Sequence, residues 1–199
     1  MRTKVRSHWL FILILIPLCI FYFWGINIVP FHPDESTQIF MSEGFDRYLI
    51  GPIEMSWESS SYLSSTTRYR MLDAPLTRYL IGIGRNLTSI PAQPVDWDWS
   101  ASWNENQQNG ALPNDDLLNV ARLSVAIFFP LELILIYRLG SMLSSNIGGL
   151  AAILIFGTNA LVLLHTRRAM AESVLVFCII ASLYILLKAD KRPQIGRAH

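Results

Sequence analysis

The sequence predicts an all-α integral membrane protein, a bundle of four transmembrane helices with a long external first loop. The 199 residues are 52% hydrophobic, and the apolar residues are gathered in separate runs instead of following one amphipathic period. Twelve of the fifteen acidic residues lie between the first and second runs. We place the spans at about residues 9–29, 119–143, 147–165 and 169–187, and the external loop at 30–118.

Basic residues flank the first and last apolar runs and indicate an orientation. Three precede the first run (Arg2, Lys4 and Arg6) and three follow the fourth (Lys188, Lys191 and Arg192). Cytoplasmic flanks are enriched in lysine and arginine, so we expect a multi-pass protein of the cell membrane with a cytoplasmic N-terminus and an extracytoplasmic loop. The first run is longer than the apolar region of a usual signal peptide, so we expect it to be retained.

The composition argues against some classes of partner. The formal net charge is only +1, and no basic run is interleaved with aromatic residues, so we expect no nucleic-acid partner. Both cysteines, Cys19 and Cys178, fall inside apolar runs, where a disulfide framework is not expected. The lipid bilayer is the one partner that the composition predicts.

An acidic pair, Asp34 and Glu35, follows directly after the first apolar run. Pro33 suits the first turn of a helix, and both carboxylates then lie near the positive end of that helix. One interpretation is a cap on a juxtamembrane amphipathic helix; the other is a reactive carboxylate held at the membrane surface. The spacing does not decide between them.

A second juxtamembrane amphipathic helix is predicted at residues 75–87. Apolar side chains recur there at helical spacing: Leu76, Tyr79, Leu80, Ile83 and Leu87. Arg78 and Arg85, seven residues apart, point the other way. The pattern predicts a helix that begins near Pro75 and lies on the outer membrane surface.

Two further features have structural interpretations. Glu132 lies near the centre of the second span, where we expect it to be protonated and hydrogen-bonded to a neighbouring helix. Trp97, Trp99 and Trp103 are typical of an interfacial anchor, with a sugar-stacking platform as the alternative.

The short turn between the third and fourth runs carries Arg167, Arg168 and Glu172. Arginines on the external side oppose the usual charge bias, so their presence needs a reason. Arg168 and Glu172 have the spacing of a helical ion pair. Alternatively, the turn joins a site with Asp34 and Arg122, which are predicted on the same side of the membrane.

Three features in order resemble a known family: Asp34-Glu35 after the first span, Asp73-Ala74-Pro75-Leu76 opening the amphipathic helix, and Arg122 at the outer start of the second span. The set is similar to the N-terminal part of the dolichyl-phosphate-mannose protein mannosyltransferases and their bacterial relatives, glycosyltransferase family 39 with the GT-C membrane fold. That family has a His-Pro-Pro-Leu type motif where this chain keeps only Pro-Leu.

The resemblance implies an enzyme. It would transfer a mannose-like sugar, with inversion, from a polyprenyl-phosphate-linked donor to a hydroxyl of a protein, lipid or glycan acceptor. Asp34 would be the base, and Glu35 would position either Asp34 or the acceptor. Donor phosphate would be bound by Arg122, Arg167 and Arg168, with supporting residues His32, Asp73, Arg78 and Glu172.

No cofactor is expected. If a divalent metal did bind, the oxygen-rich external set would suit magnesium or manganese better than zinc; its members are His32, Asp34, Glu35, His165 and Glu172. Residues 194–199 resemble the translation of a sequencing adapter, so we expect a non-native tail after residue 193 and a longer native enzyme. We expect the 199-residue piece alone to be inactive.

Two other functions are open at this point. A transporter fragment would use Glu132 and Arg122 along a path through the bundle. A non-enzymatic four-helix scaffold would bind a partner through Trp97, Trp99 and Trp103.

Overall fold

The computed structural model describes residues 2–52 and 75–190, and no strand occurs within these ranges. The helices are α1 (Arg2–Trp24), α2 (Pro33–Met41), α3 (Glu43–Ile50), α4 (Pro75–Thr88), α5 (Trp103–Gln108), α6 (Asp115–Ala126), α7 (Phe128–Leu143), α8 (Asn146–Thr158), α9 (Ala160–Thr166) and α10 (Ala171–Asp190). The predicted all-α class is confirmed for this part of the chain.

Two helices in the described residues are each long and apolar enough to cross a membrane. These are Asp115–Leu143, which joins α6 and α7, and Ala171–Ala189 in α10. A third candidate is the pair α8 and α9 if it counts as one bent span, while α1 supplies a shorter apolar helix, Trp9–Trp24. The apolar helices indicate a membrane-associated protein, with two or three candidate spans in the described residues where the sequence predicts four.

The apolar run predicted as the third span is not one straight helix. The axes of α8 and α9 differ by 63°. Asn159 lies at the break with an extended backbone, and its side chain accepts hydrogen bonds from the N–H groups of Leu161 and Val162. A side chain that caps a new helix ends the previous one, so Asn159 divides the apolar run.

The second span has identifiable features at its start and at Ile127, between α6 and α7. Asn114 accepts a 2.8 Å hydrogen bond from the N–H of Leu117 and so starts α6 four residues before the predicted boundary. α6 gives way to α7 at Ile127. Pro130 has no N–H to donate to the carbonyl four residues earlier, which weakens the helical ladder at this point.

An aromatic core joins α1 to α7 and α9. The rings of Tyr22 and Phe129 are stacked with centroids 3.7 Å apart, and both side chains are fully buried. The Tyr22 hydroxyl donates a 2.5 Å hydrogen bond to the carbonyl of Thr166. This contact holds the end of α9 beside the end of α1, where the acidic pair follows.

Two glycines let α7 and α8 approach closely. A Cβ on Gly140 would lie 2.8 Å from the Cα of Gly149, and a Cβ on Gly149 would lie 2.6 Å from the carbonyl oxygen of Tyr137. Backbone atoms cannot move aside as a flexible side chain can. The close packing of the α7–α8 hairpin therefore depends on a small residue at position 149.

We expect Gly149→Ala to lower stability by about 1–3 kcal/mol because the added methyl overpacks the α7–α8 contact. Gly148→Ala is the matched control, since its Cβ would lie 3.0 Å from the Ser144 side chain and no nearer than 3.7 Å to a backbone atom, the Gly140 carbonyl oxygen. Thermal unfolding in detergent, followed by circular dichroism, measures both. Equal stability of the two variants would contradict the close packing.

Candidate functional site

The site is built on a buried ion pair between Glu35 and Arg122. Arg122 Nε lies 2.7 Å from Glu35 Oε1, and Arg122 Nη2 lies 2.8 Å from Glu35 Oε2. The two planar groups therefore meet in a bidentate arrangement. Glu35 is 0% exposed and Arg122 is 2% exposed.

The remaining hydrogen-bonding groups of the pair are also used. Glu35 Oε1 accepts from the N–H of Ala169 at 2.8 Å, and Oε2 accepts from the N–H of His32 at 3.0 Å. Arg122 Nη1 donates to the carbonyls of Ile26 and Val29, at 2.8 and 3.0 Å. One ion pair thus connects the end of α1, the start of α2, α6 and the turn before α10.

Asp34 points elsewhere, although it is the next residue in the chain. Its side chain is 48% exposed and lines a pocket of about 330 Å³ between α2 and the start of α10. The lining residues are Asp34, Thr37, Gln38, Met170, Ala171, Glu172 and Leu175. The pocket brings together two predicted site residues, Asp34 and Glu172.

His32 caps α2 beside this pocket. Its Nδ1 accepts a hydrogen bond from the N–H of Asp34 at 3.2 Å, and the same nitrogen lies 3.5 Å from Asp34 Oδ2. A nitrogen that accepts from the backbone has no proton to donate, so a neutral His32 in this geometry leaves the Asp34 carboxylate open to the pocket. His32 therefore supports the helix start.

The three arginines predicted to bind phosphate have different environments. Arg122 is engaged with Glu35 and the backbone. Arg167 donates to the carbonyls of Phe21 and Tyr22, at 2.8 and 3.1 Å, and so caps the C-terminal end of α1. Burial lowers the pKa of Arg167. The hydrogen bonds of Arg122 and Arg167 all go to protein groups. Their phosphate role stays a prediction.

Arg168 has more freedom. It is partly exposed, and only its Nε makes a recorded hydrogen bond, 3.3 Å long, to the carbonyl of Pro30 at the start of the loop that leads to Asp34. The expected ion pair between Arg168 and Glu172 is not seen in the described residues. Of the three arginines, Arg168 is the one whose Nη atoms make no hydrogen bond in the described residues.

The arginines of α4 form a second buried network. Arg85 is 1% exposed; its Nη2 lies 2.6 Å from Asp46 Oδ2 and its Nε lies 2.7 Å from Ser42 Oγ. Arg78 is 3% exposed and contacts Met41, so it supports α2 and does not line the pocket. The predicted amphipathic helix is confirmed, and its arginine face packs on protein.

Sequence reasoning missed Asp46 and Ser42 as partners of this helix. Nothing in the local pattern marks them; the signal was the arginine spacing, which showed that one face of α4 is polar. Asp73, predicted as a supporting residue, lies outside the described residues.

Glu132 is fully buried, and neither of its carboxylate oxygens has a hydrogen-bond partner in the described residues. The expected hydrogen bond to a neighbouring helix is therefore not present there. Arg122, which would mark the same path in a transporter, is bound to Glu35 instead. Within the described residues no three histidine, cysteine or acidic side chains converge as metal ligands.

Residues 97–103, here called the tryptophan segment, pack against Phe31, the residue before His32. Trp97 is 8% exposed and Trp103 is 47% exposed, with ring centroids 5.2 Å apart, and both contact Phe31. Hydrogen bonds from Ser100 lower the pKa of Asp98, and those from Ser102 lower the pKa of Glu105. The segment is thus a folded unit next to His32.

Comparisons with protein-family models, with curated proteins and with solved structures found no match to this chain. The resemblance to glycosyltransferase family 39 stays a prediction.

We expect Arg122→Met to destabilise the protein by about 3–5 kcal/mol, because it leaves the buried Glu35 carboxylate unpaired. The double variant Glu35→Leu with Arg122→Met should recover much of this loss, since no buried charge remains. Thermal unfolding of the wild type, Arg122→Met, Glu35→Leu and the double variant gives the coupling. A double variant as unstable as the sum of both single variants would contradict the structural role of the pair.

Acid should loosen the tryptophan segment. Because both pKa values are lowered in the folded state, the hydrogen bonds of Asp98 and Glu105 stabilise it fully above the ordinary values of 3.8 and 4.5 and less as the pH falls through the lower folded values. Fluorine NMR of 5-fluorotryptophan protein should show a shift at Trp103 in this range. The variant Asp98→Asn with Glu105→Gln should lack it, and a shift that persists there would contradict this origin.

Proposed function

We propose that this chain is part of a membrane glycosyltransferase of the GT-C type. It transfers a mannose-like sugar from a polyprenyl-phosphate donor to an acceptor hydroxyl on the extracytoplasmic side. The observation that carries the proposal is the separation of the acidic pair: Glu35 is buried against Arg122, while Asp34 is open to a pocket at the start of an apolar helix.

That separation is what a general base requires. A base must reach the proton that it removes, and its position must be fixed by groups that do not react. Asp34 is 48% exposed, and the buried ion pair next to it fixes the first turn of α2. Glu35 is thus a positioning residue in this proposal.

The proposed transfer forms one bond to the sugar C1 and breaks another. Asp34 accepts the proton of the acceptor hydroxyl as its oxygen bonds to the sugar C1, on the side opposite the departing phosphate. The bond between C1 and the phosphate oxygen breaks, and both electrons leave with the polyprenyl phosphate. Arg168, one of the three arginines to which the family resemblance gives this role, stabilises the negative charge on that phosphate.

The donor must approach from the membrane, and α4 offers a surface suited to it. Leu76, Ile83 and Leu87 are 49%, 41% and 82% exposed, whereas its two arginines are buried. An apolar groove of about 330 Å³ lies between α4 and α6, lined in part by Leu80, Ile83 and Leu123. We assign this groove to the first isoprene units of the donor.

We expect Asp34→Asn to lower turnover about 10²- to 10⁴-fold while leaving expression and donor binding nearly unchanged, because only the base is lost. The assay measures transfer of radiolabelled sugar from polyprenyl phosphate in membranes that contain the complete gene product. Asp116→Asn is the matched control, since Asp116 is an exposed carboxylate in the first turn of α6.

Wild-type turnover in Asp34→Asn would rule out Asp34 as the base. The transporter would be favoured instead if transport is measured, Asp34→Asn leaves it unchanged and Glu132→Gln abolishes it.

A further inference from the structure

A second polar cavity lies at the other end of the helix bundle. It has a volume of about 500 Å³ and is formed by α1, α7, α8 and α10. The lining residues are Phe11, Ile134, Tyr137, Arg138, Ser141, Met142, Asn146 and Tyr184. Arg138 follows Arg122 by sixteen residues along α6 and α7, a rise of roughly 24 Å, so this cavity is separate from the Asp34 pocket.

The polar groups of this cavity include donors that lack a partner in the described residues. Arg138 is exposed, and its guanidinium makes no hydrogen bond or ion pair within the described residues. The hydroxyl oxygen of Ser141 is buried and has no hydrogen-bond partner. No acidic residue is among those that line the cavity.

Two further features add positive potential. Asn146 is the first residue of α8, so the positive end of that helix opens into the cavity. Lys188, one turn after Tyr184, holds its Nζ 5.7 Å from the centre of the Tyr184 ring. The site therefore presents donors and positive charge, which suits the oxygens of a phosphate group.

The rest of the cavity lining is apolar, which favours a phosphate carried by a lipid over free phosphate. Phe11 and Ile134 belong to apolar helices, and Phe11 stacks on Tyr137 with centroids 4.3 Å apart. Apolar side chains do not stabilise a free anion, whereas they make favourable contacts with an acyl chain. Basic cavities between membrane helices are typical binding sites for anionic lipid head groups.

We propose that the cavity around Arg138 and Ser141 binds the phosphate head group of an anionic phospholipid. Arg138 and the Ser141 hydroxyl contact the phosphate oxygens, and an acyl chain lies along Phe11 and Ile134. This site is independent of the sugar-transfer reaction proposed for Asp34, and either proposal can fail without the other.

The test is native mass spectrometry of the full chain released from micelles that contain phosphatidylglycerol and phosphatidylcholine in equal amounts. Wild-type protein should retain phosphatidylglycerol preferentially. Arg138→Gln should lower the ratio of retained phosphatidylglycerol to phosphatidylcholine about fivefold. Ser141→Ala, which leaves the charge unchanged, should lower it about threefold.

Arg47→Gln is the matched control, because it removes an arginine at the opposite end of the molecule, where Arg47 pairs with Glu43. Equal ratios in Arg138→Gln and Arg47→Gln would overturn the proposal. So would displacement of the retained lipid by inorganic phosphate, since that result identifies a free-anion site.

Discussion

The Glu35–Arg122 ion pair is the interaction on which the rest of the site depends. Two charges taken out of water cost several kcal/mol each, and they are tolerated only when their hydrogen bonds are complete. Here the hydrogen bonds are completed by backbone groups of Ile26, Val29, His32 and Ala169. The pair is therefore satisfied only when the end of α1, the start of α2, α6 and the turn before α10 are all in place.

This constraint gives neighbouring residues different roles. Successive positions of a helix differ in direction by about 100°, so Asp34 turns to the pocket while Glu35 turns to Arg122. A similar division follows in the turn before α10, where Arg167 is buried on the end of α1 and Arg168 remains partly exposed. Glu35 and Arg167 are buried in contacts that hold the helices together, whereas Asp34 and Arg168 remain partly exposed.

Much of the fold could be predicted from local pattern. The apolar runs predicted helices, and the predicted helix at 75–87 is present as Pro75–Thr88. The Glu35–Arg122 contact could not be predicted, because its residues are 87 positions apart and only the tertiary fold brings them together. The break at Asn159 was missed because a single capping side chain is hard to recognise inside an apolar run. The contacts of Arg122 with Glu35 and of Arg167 with the end of α1 could not be predicted either, because a sequence shows a charge but not the groups that contact it.

The division of the acidic pair is tested most directly by carboxyl labelling of the folded protein. The protein is treated with a water-soluble carbodiimide and an amine in detergent, and the extent of modification at each residue is measured by tandem mass spectrometry. The structure predicts that Asp34 is modified and Glu35 is protected until the protein unfolds. Equal modification of Asp34 and Glu35 in the folded protein would contradict the buried ion pair and, with it, the assignment of Asp34 as the reactive carboxylate.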